Sequence, residues 1–379
     1  MSLNINSVAV LGNLFGDEGK GAIIHRFSSK SDWVIRVSGS SNCGHTIYLD
    51  GKKYVHHLIP SIDFSHPTTK GFLGSGMVIN LTELYEELLN LEKDFPGVSK
   101  RIYVDPDAFL ILPSHIEKDK VGGEIALKIA TTNKGVGPAY TDKVSRNGLK
   151  IKSLIKNSDP IISKLCRLGV QFKHALELQE EMSNSIILFE GSQGVMLDIN
   201  HGTYPFVSCG DATIAGIINS GFAFAMPKIV YGVSKCYATK VGNGPFPTEI
   251  FGKEAEHLRE LGKEYGSTTG RPRRIGWLDL PALKYACIKG GITELILTKF
   301  DILDNMERVP VCIAYDKAPV CADDFFTAKP QFITMSGWNK ASPHDKNLIE
   351  FLKLIEAHVG RKVRYISSGT GPDDMHLIT

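Results

Sequence analysis

With 379 residues, 42% of them hydrophobic and 22% charged, the chain has an ordinary soluble, globular composition, and its length allows two or three domains or one large α/β domain with excursions. A net charge of +2 gives no bulk reason to expect nucleic acid or an anionic membrane as partner. No apolar run approaches the roughly 18 residues of a membrane span. The N-terminal MSLNINS lacks a signal pattern and the seven cysteines lack CxxC spacing, so the expectation is a cytoplasmic chain with reduced, mostly buried thiols.

The first predicted strand, Val8 to Leu11, runs into GNLFGDEGKG, Gly12 to Gly21, and then into a segment with helical spacing at Ala22, Ile23 and Phe27. A loop between a strand and a helix is where open α/β sheets bind ligands. Its glycines let main-chain N–H groups approach an oxyanion, the helix start favours negative charge, and Lys20 adds a point charge for phosphate. Asp17 and Glu18 do not fit a pure anion cradle; one of them is expected to bind Mg²⁺ or to take a proton. The spacing is not GxxxxGK[ST], which disfavours a simple P-loop NTPase. A glycine-rich turn with surface charges is the plain alternative.

A second strand, Trp33 to Val37, leads into SGSSNCGHT, Ser38 to Thr46, where His45 is the titratable imidazole, catalytic or structural. Asp50-Gly51 between two short apolar runs signals a hairpin. Leu84, Leu88 and Leu91 at helical spacing behind Asn80 predict a capped amphipathic helix over Leu81 to Leu91. Arg101 to Val104 reads as a strand that Asp105-Pro106 ends. Strands alternating with helices predict a large central, mostly parallel sheet with flanking helices.

The segment Ala130 to Gly148 carries Thr131, Thr132, Lys134 and Arg146, groups that hold a phosphate or decorate a mobile loop. Leu165 to Met182 reads as a helix that serves packing. Ile186 to Phe189 is a buried strand ending in EGSQG, where the Gln193 amide could read a base edge; Asp198, His201 and Thr203 after it are either caps and turn residues or part of the site. Ile229 to Val233 is a further strand. In STTGRPRRIGWLD, Ser267 to Asp279, three arginines within four residues make a compact site for a small dicarboxylate or a phosphate. Glu294 to Phe300 is the last central strand. Asp301 beyond it is either a turn residue or an acceptor for guanine N1 and amino protons. SSGTGPDD, Ser367 to Asp374, forms another Gly-Ser-Thr loop.

Together GDEGKG, NCGHT, TTNKGVGPAYTDK, FEGSQGVMLDINHGTYPFV, VGNGPFPTE, TTGRPRRIGWLD, TKFD and TGPD occur in an order and spacing that resembles the adenylosuccinate synthetase family, nearly end to end. The resemblance implies a single synthetase domain over residues 1–379 with a P-loop-NTPase-like synthetase fold. It implies GTP-dependent ligation of IMP and L-aspartate to adenylosuccinate through a 6-phosphoryl intermediate. By position, Asp17, His45, Lys20 and Gln193 would be catalytic, and Asp17 and Gly44 would hold Mg²⁺. Asn42, Thr132, Arg146, Gln193, Ser208 and Arg271 would bind the nucleotide acceptor, with Arg146 reaching the partner's site in a homodimer. Thr269, Arg271 and Arg273 would bind aspartate. GTP would meet Gly16, Glu18, Gly19, Lys20, Gly21, Gly44, His45 and Thr46 on one side and Lys299, Asp301, Gly371 and Pro372 on the other.

The chain departs from the family pattern around the base pocket. Ser38, Gly39 and Ser40 stand where a glutamine and paired glycines are usual. Cys43 replaces an alanine, His25 an acidic residue and Ser208 a threonine. Cys209-Gly210-Asp211 replaces Ser-Ser-Asn, the last loop gains a residue, and the stretch from Arg146 to Glu190 is short. These changes leave open a phage-like paralogue that uses dGMP, which offers the same N1 proton and 6-oxygen as IMP. A catalytically inactive nucleotide-binding regulator is the reading from another class, and it would be expected to lose Asp17, His45 or the arginines first.

Overall fold

Short runs such as WVI, IILF and LILT carry apolar side chains on both faces, the pattern of parallel strands covered on both sides. The computed structural model describes residues 6–49, 51–123, 129, 131–266, 270–369 and 371–378. It divides into two compact units interleaved in sequence: Met1–Val10, Lys20–Ser192 and Ser208–Lys228 in one, Leu11–Gly19, Gln193–Val207 and Ile229–Thr379 in the other.

Besides a short two-stranded pair, Val78–Ile79 with Phe109–Leu110, the described strands of the first unit are β1 (Asn6–Gly12), β2 (Trp33–Arg36), β3 (His45–Leu49), β4 (Lys52–His56), β5 (Lys70–Leu73), β6 (Ile102–Val104), β7 (Gln171–Phe172) and β8 (Ile186–Glu190). Six of them pair in parallel in the order β1-β8-β2-β5-β6-β7. The register sets Val10 beside Glu190, and Phe189 beside Ile35, which in turn faces Phe72. Phe72 and Phe189 both meet the edge of Phe222, at centroid separations of 5.3 and 5.7 Å. β3 and β4 form the expected hairpin around Gly51, whose φ of +78° suits glycine; Asp50 lies outside the described residues.

Helix α1 (Lys20–Ser28) follows the glycine-rich loop, and α2 (Leu81–Asp94) begins one residue after Asn80. The Asn80 Oδ1 accepts from the amides of Thr82 and Glu83 at 3.1 and 3.3 Å, a cap worth about 1 kcal/mol. Leu84, Leu88 and Leu91 are buried, as their spacing predicts. The helix expected over Leu165 to Met182 is not one helix. Helix α3 (Pro160–Leu168) ends at Gly169, which adopts φ 103° and returns its N–H to Cys166 O at 2.9 Å. A side chain at 169 would also drive into Lys100 Cγ at 2.6 Å. The chain then forms β7 and a short 3-10 turn over Ala175–Leu178.

In the second unit β9 (Ile229–Lys235), β10 (Glu294–Thr298) and β11 (Lys362–Ser367) pair in parallel, and β12 (Met375–Leu377) adds antiparallel to β11. The last central strand stops at Thr298, two residues before its expected end. Lys299 turns the chain with φ 68° into a 3-10 turn, Phe300–Leu303, that carries Asp301. Phe351 of helix α4 (Lys346–Val359) meets Phe300 and Trp338 edge to face at 6.1 and 5.3 Å, and those two rings pack tilted at 5.5 Å. A small antiparallel sheet of Ala238–Lys240, Arg274–Gly276 and Glu249–Ile250 brings the arginine-rich segment into this unit. In each unit the sheet is mostly parallel and carries flanking helices, the expected α/β architecture. The seven cysteines are free thiols, four of them buried. No helix among the described residues is long and apolar enough to cross a membrane.

Candidate active site

The loop between β1 and α1 depends on positive φ angles: Gly16 at +81°, Asp17 at 60° and Gly19 at +91°. Asp17 is the costly one, because an L-residue with a Cβ rarely sits there. A polar network holds it. Glu18 is 4% exposed and accepts from the Gly16 amide at 2.8 Å, and its own carbonyl accepts from Thr298 Oγ1 at 2.9 Å. Gly194 closes the underside, where a Cβ would lie 2.3 Å from Leu14 O and 2.7 Å from Gly16 N. The same packing brings Gln193, itself at φ 56°, against Gly16.

Asp17 projects its carboxylate from this loop with 29% of the side chain exposed. Arg273 Nε donates to Asp17 Oδ2 at 2.8 Å, and Arg273 Nη1 donates to Glu264 Oε2 at 2.5 Å. Glu264 is fully buried and takes Lys235 Nζ on both oxygens, at 2.8 and 2.7 Å, and the Tyr237 hydroxyl. Burial would raise the Glu264 carboxyl, but Lys235, Arg273 and Tyr237 outweigh it and hold it down to about 2. An ionised, strongly anchored carboxylate therefore stands behind the arginine that meets Asp17.

The three-arginine cluster of the sequence is not one anion site. Arg274 is committed to Glu249, at 2.7 Å from Nε, and to the carbonyls of Gly242 and Gly244, so it braces a loop. Arg271 is half-buried. Thr269 lies outside the described residues, as does the side chain of Pro372. Lys299 Nζ donates to Gly262 O at 2.9 Å. Asp301 Oδ1 is buried and has no partner among the described residues, and burial raises the carboxyl above its ordinary value. Gly371 N donates to Asp374 Oδ2 at 2.5 Å, shaping the last loop.

The first unit builds a second cluster. His45 begins β3 at 7% exposure, and its Nδ1 meets Glu190 Oε1 at the end of β8. Ser61 donates to Glu190 twice at 2.8 Å, from Oγ to Oε1 and from N to Oε2. Burial pushes the imidazole below its ordinary pKa while Glu190 works against it. Burial would likewise raise Glu190, yet His45, Arg36 and the Ser61 amide hold it at about 2. Gly21 backs onto the ring, since a Cβ there would lie 2.8 Å from His45 Cβ. Lys20, 4% exposed, stands near enough to act on the His45 charge. Gly44, Thr46, Asn42, Thr132 and Ser208 are half-buried in this unit, and Arg146 is exposed at φ 67°. Thr131 and Lys134 are engaged by carboxylates, Asp119 at 2.9 Å and Glu83 at 2.9 Å.

Glu190, Ser61, Glu264 and Lys235 escaped the sequence reading. Only the place of Glu190, at the head of EGSQG after a buried strand, could have signalled a role. The serines that depart from the family pattern, Ser38 and Ser40, have buried hydroxyls with no partner among the described residues. Asp105, Asp107 and His174 could hold a metal, with ligand atoms within 4.8 Å of one another, but none of them is a residue expected to bind Mg²⁺. Asp107 is already paired with Lys150 at 3.0 Å and Lys152 at 2.8 Å.

A family model described as adenylosuccinate synthetase matches residues 9–183 and 170–376. The adenylosuccinate synthetase of Petrotoga mobilis is 43% identical, with 98% of this chain and 97% of that protein covered. The structure of fully ligated adenylosuccinate synthetase from Plasmodium falciparum superposes with a TM-score of 0.87 at 30% identity, covering 99% of this chain and all of that one. The succinoaminodeoxyadenylate synthetase of cyanophage S-2L, bound to dGMP and dATP, has a TM-score of 0.73 over 99% of this chain and 95% of its own. At 23% identity, that likeness is one of fold.

Proposed function

Because the chain belongs to the adenylosuccinate synthetase family, we propose that it joins IMP to L-aspartate at the expense of GTP, giving adenylosuccinate, GDP and phosphate. The observation that carries this reading is the pairing of Asp17 with Arg273: a carboxylate able to take a proton, 2.8 Å from an arginine able to take a carboxylate. Asp17 would remove the N1 proton of the purine, and the 6-oxygen would then attack the γ-phosphorus with departure of GDP. The aspartate amine would next attack C6 and expel phosphate. Arg273, Arg271 and Thr269 would hold the aspartate carboxylates. His45 and Lys20 would face the transferring phosphoryl group, and Gln193 would meet the base. Asn42, Thr132, Ser208 and the partner's copy of Arg146 would take the 5′-phosphate.

The donor set fits Mg²⁺, which prefers hard oxygen ligands. Arg273 engages only Oδ2 of Asp17, so Oδ1 can ligate, and Gly44 offers a main-chain carbonyl. The ion would neutralise charge on the GTP phosphates. The Asp301 carboxylate, whose buried Oδ1 has no partner among the described residues, suits the N1 and amino protons of guanine, which supports GTP over ATP. Lys299, Gly371 and Pro372 would complete that pocket, with Gly16, Glu18, Gly19, Gly21 and Thr46 around the phosphates. We further propose a cytoplasmic homodimer whose whole chain works as one synthetase domain.

The test is phosphate release with aspartate and Mg²⁺, using GTP or ATP as donor and IMP, GMP or dGMP as acceptor, with product masses measured. Turnover with IMP and GTP is expected. Preference for dGMP would move the chain to the alternative acceptor and make Ser38, Ser40 and His25 the residues to exchange. Absence of turnover with every acceptor would remove the enzyme reading.

A further inference from the structure

We infer that Glu264 is a positioning residue for L-aspartate, acting through Arg273. The inference rests on the reading of Arg273 as a carboxylate ligand. An arginine side chain has four rotatable bonds, and ordering it for one carboxylate costs conformational entropy unless something else already holds it. Glu264 supplies that hold. It takes Nη1 at 2.5 Å while Nε is on Asp17 at 2.8 Å, which fixes the guanidinium plane by two of its three nitrogens. Arg259 adds a main-chain brace, its Nε donating to Arg273 O at 2.9 Å.

The anchor is itself rigid. Glu264 ends a turn after the helix Gly252–Gly262, and its N–H donates to Arg259 O at 2.8 Å. Its carboxylate accepts from Lys235 of β9, which Thr239 Oγ1 holds at 2.7 Å, and from Tyr237. Two cations and a hydroxyl converge on one buried carboxylate. Lys235 alone would balance that carboxylate's charge, so the bond to Arg273 is not needed for neutrality. It orients Arg273. Asp17, by contrast, is partly exposed and has its own work with a proton and a metal ion, so it cannot serve as the permanent anchor.

The consequence is a split in kinetic constants. Without the Glu264 carboxylate, Arg273 has to be ordered by the substrate itself. The KM for L-aspartate should then rise about tenfold or more, with the KM values for IMP and GTP held within about twofold. A merely structural role would move all three together.

Glu264→Gln tests this in the full-length enzyme. The change leaves Lys235 buried with a weakened partner, so the paired variant Lys235→Met/Glu264→Gln, which removes both charges together, is measured beside it. Arg273→Leu is the reference. If Arg273→Leu leaves the KM for aspartate unchanged, the reading of Arg273 fails first. If Arg273→Leu raises that KM while a folded Glu264→Gln or paired variant does not, the inference about Glu264 is overturned. A selective rise in both establishes it.

Discussion

Glu190 receives the Nδ1 side of His45 on Oε1, and Ser61 holds the same carboxylate at both oxygens, its Oγ donating to Oε1 and its N to Oε2 at 2.8 Å each. The imidazole is thereby fixed in plane, with Nε2 as the nitrogen left to face a substrate. Glutamine at 190 cannot satisfy both neighbours. If its oxygen accepts from the Ser61 amide, its NH₂ points at Nδ1 and reverses that hydrogen bond. Glu190→Gln should therefore lower kcat by about 10- to 1,000-fold, with the KM for aspartate little changed. Steady-state kinetics on a variant with native circular dichroism checks this, and a normal kcat would separate Glu190 from the chemistry.

Asp17→Ala should abolish turnover and leave GTP and nucleotide binding largely in place. General base catalysis alone contributes about 10²- to 10⁴-fold, and the side chain would also be lost to Mg²⁺. The fold should survive, because Glu264 still pairs Arg273 when Asp17 is gone. Binding titrations beside a phosphate-release assay decide it; retained turnover would mean that another group takes the N1 proton.

Much of this arrangement can be read from local pattern. The strand–loop–helix order around Gly12 to Gly21 and the Asn80 cap each follow from spacing over a few residues, and each stands where expected. Long-range partners do not follow. Glu264 sits in the unremarkable sequence KEYGS, and only folding brings it to Lys235, twenty-nine residues away. Arg274 looked equivalent to Arg273, yet the antiparallel pairing of Arg274–Gly276 with Glu249–Ile250 gives it to Glu249. The helix misread across Leu165 to Met182 had a visible breaker in Gly169, whose φ of 103° ends the helix at Leu168.

Gly194→Ala should impair the catalytic loop from beneath. The added methyl would meet main-chain atoms, Leu14 O at 2.3 Å and Gly16 N at 2.7 Å, and neither can rotate away as a side chain could. Overpacking of this kind costs about 1 to 3 kcal/mol, and a shift of about 1 Å at Asp17 would lower kcat about 100-fold. Gly51→Ala in the β3–β4 hairpin is the control, since a Cβ there meets nothing and only the positive φ is strained. Thermal melts and kcat for the two variants should rank Gly194→Ala as the more damaging in both; the reverse order would show that the loop is not seated on residue 194.

The stability of the second unit should carry the signature of Asp279. This carboxyl caps the helix Leu280–Gly290 by accepting from the Ala282 amide at 3.0 Å, and it also accepts from the Tyr315 hydroxyl. Burial raises it to about 6, against both hydrogen bonds, which favour the ionised form. An unfolded aspartate titrates near 3.9, so between roughly pH 4 and 6 the folded chain holds a proton that the unfolded chain has released. Stability from this group is thus present at low pH and is lost as pH rises through about 6. Asparagine keeps an acceptor for the cap and does not titrate. Raising the pH from 5 to 7 should therefore shift the stability difference by about 1 kcal/mol in favour of Asp279→Asn over the parent chain. Urea titrations of both proteins at the two pH values measure it, and parallel pH dependences would show that Asp279 is ionised throughout.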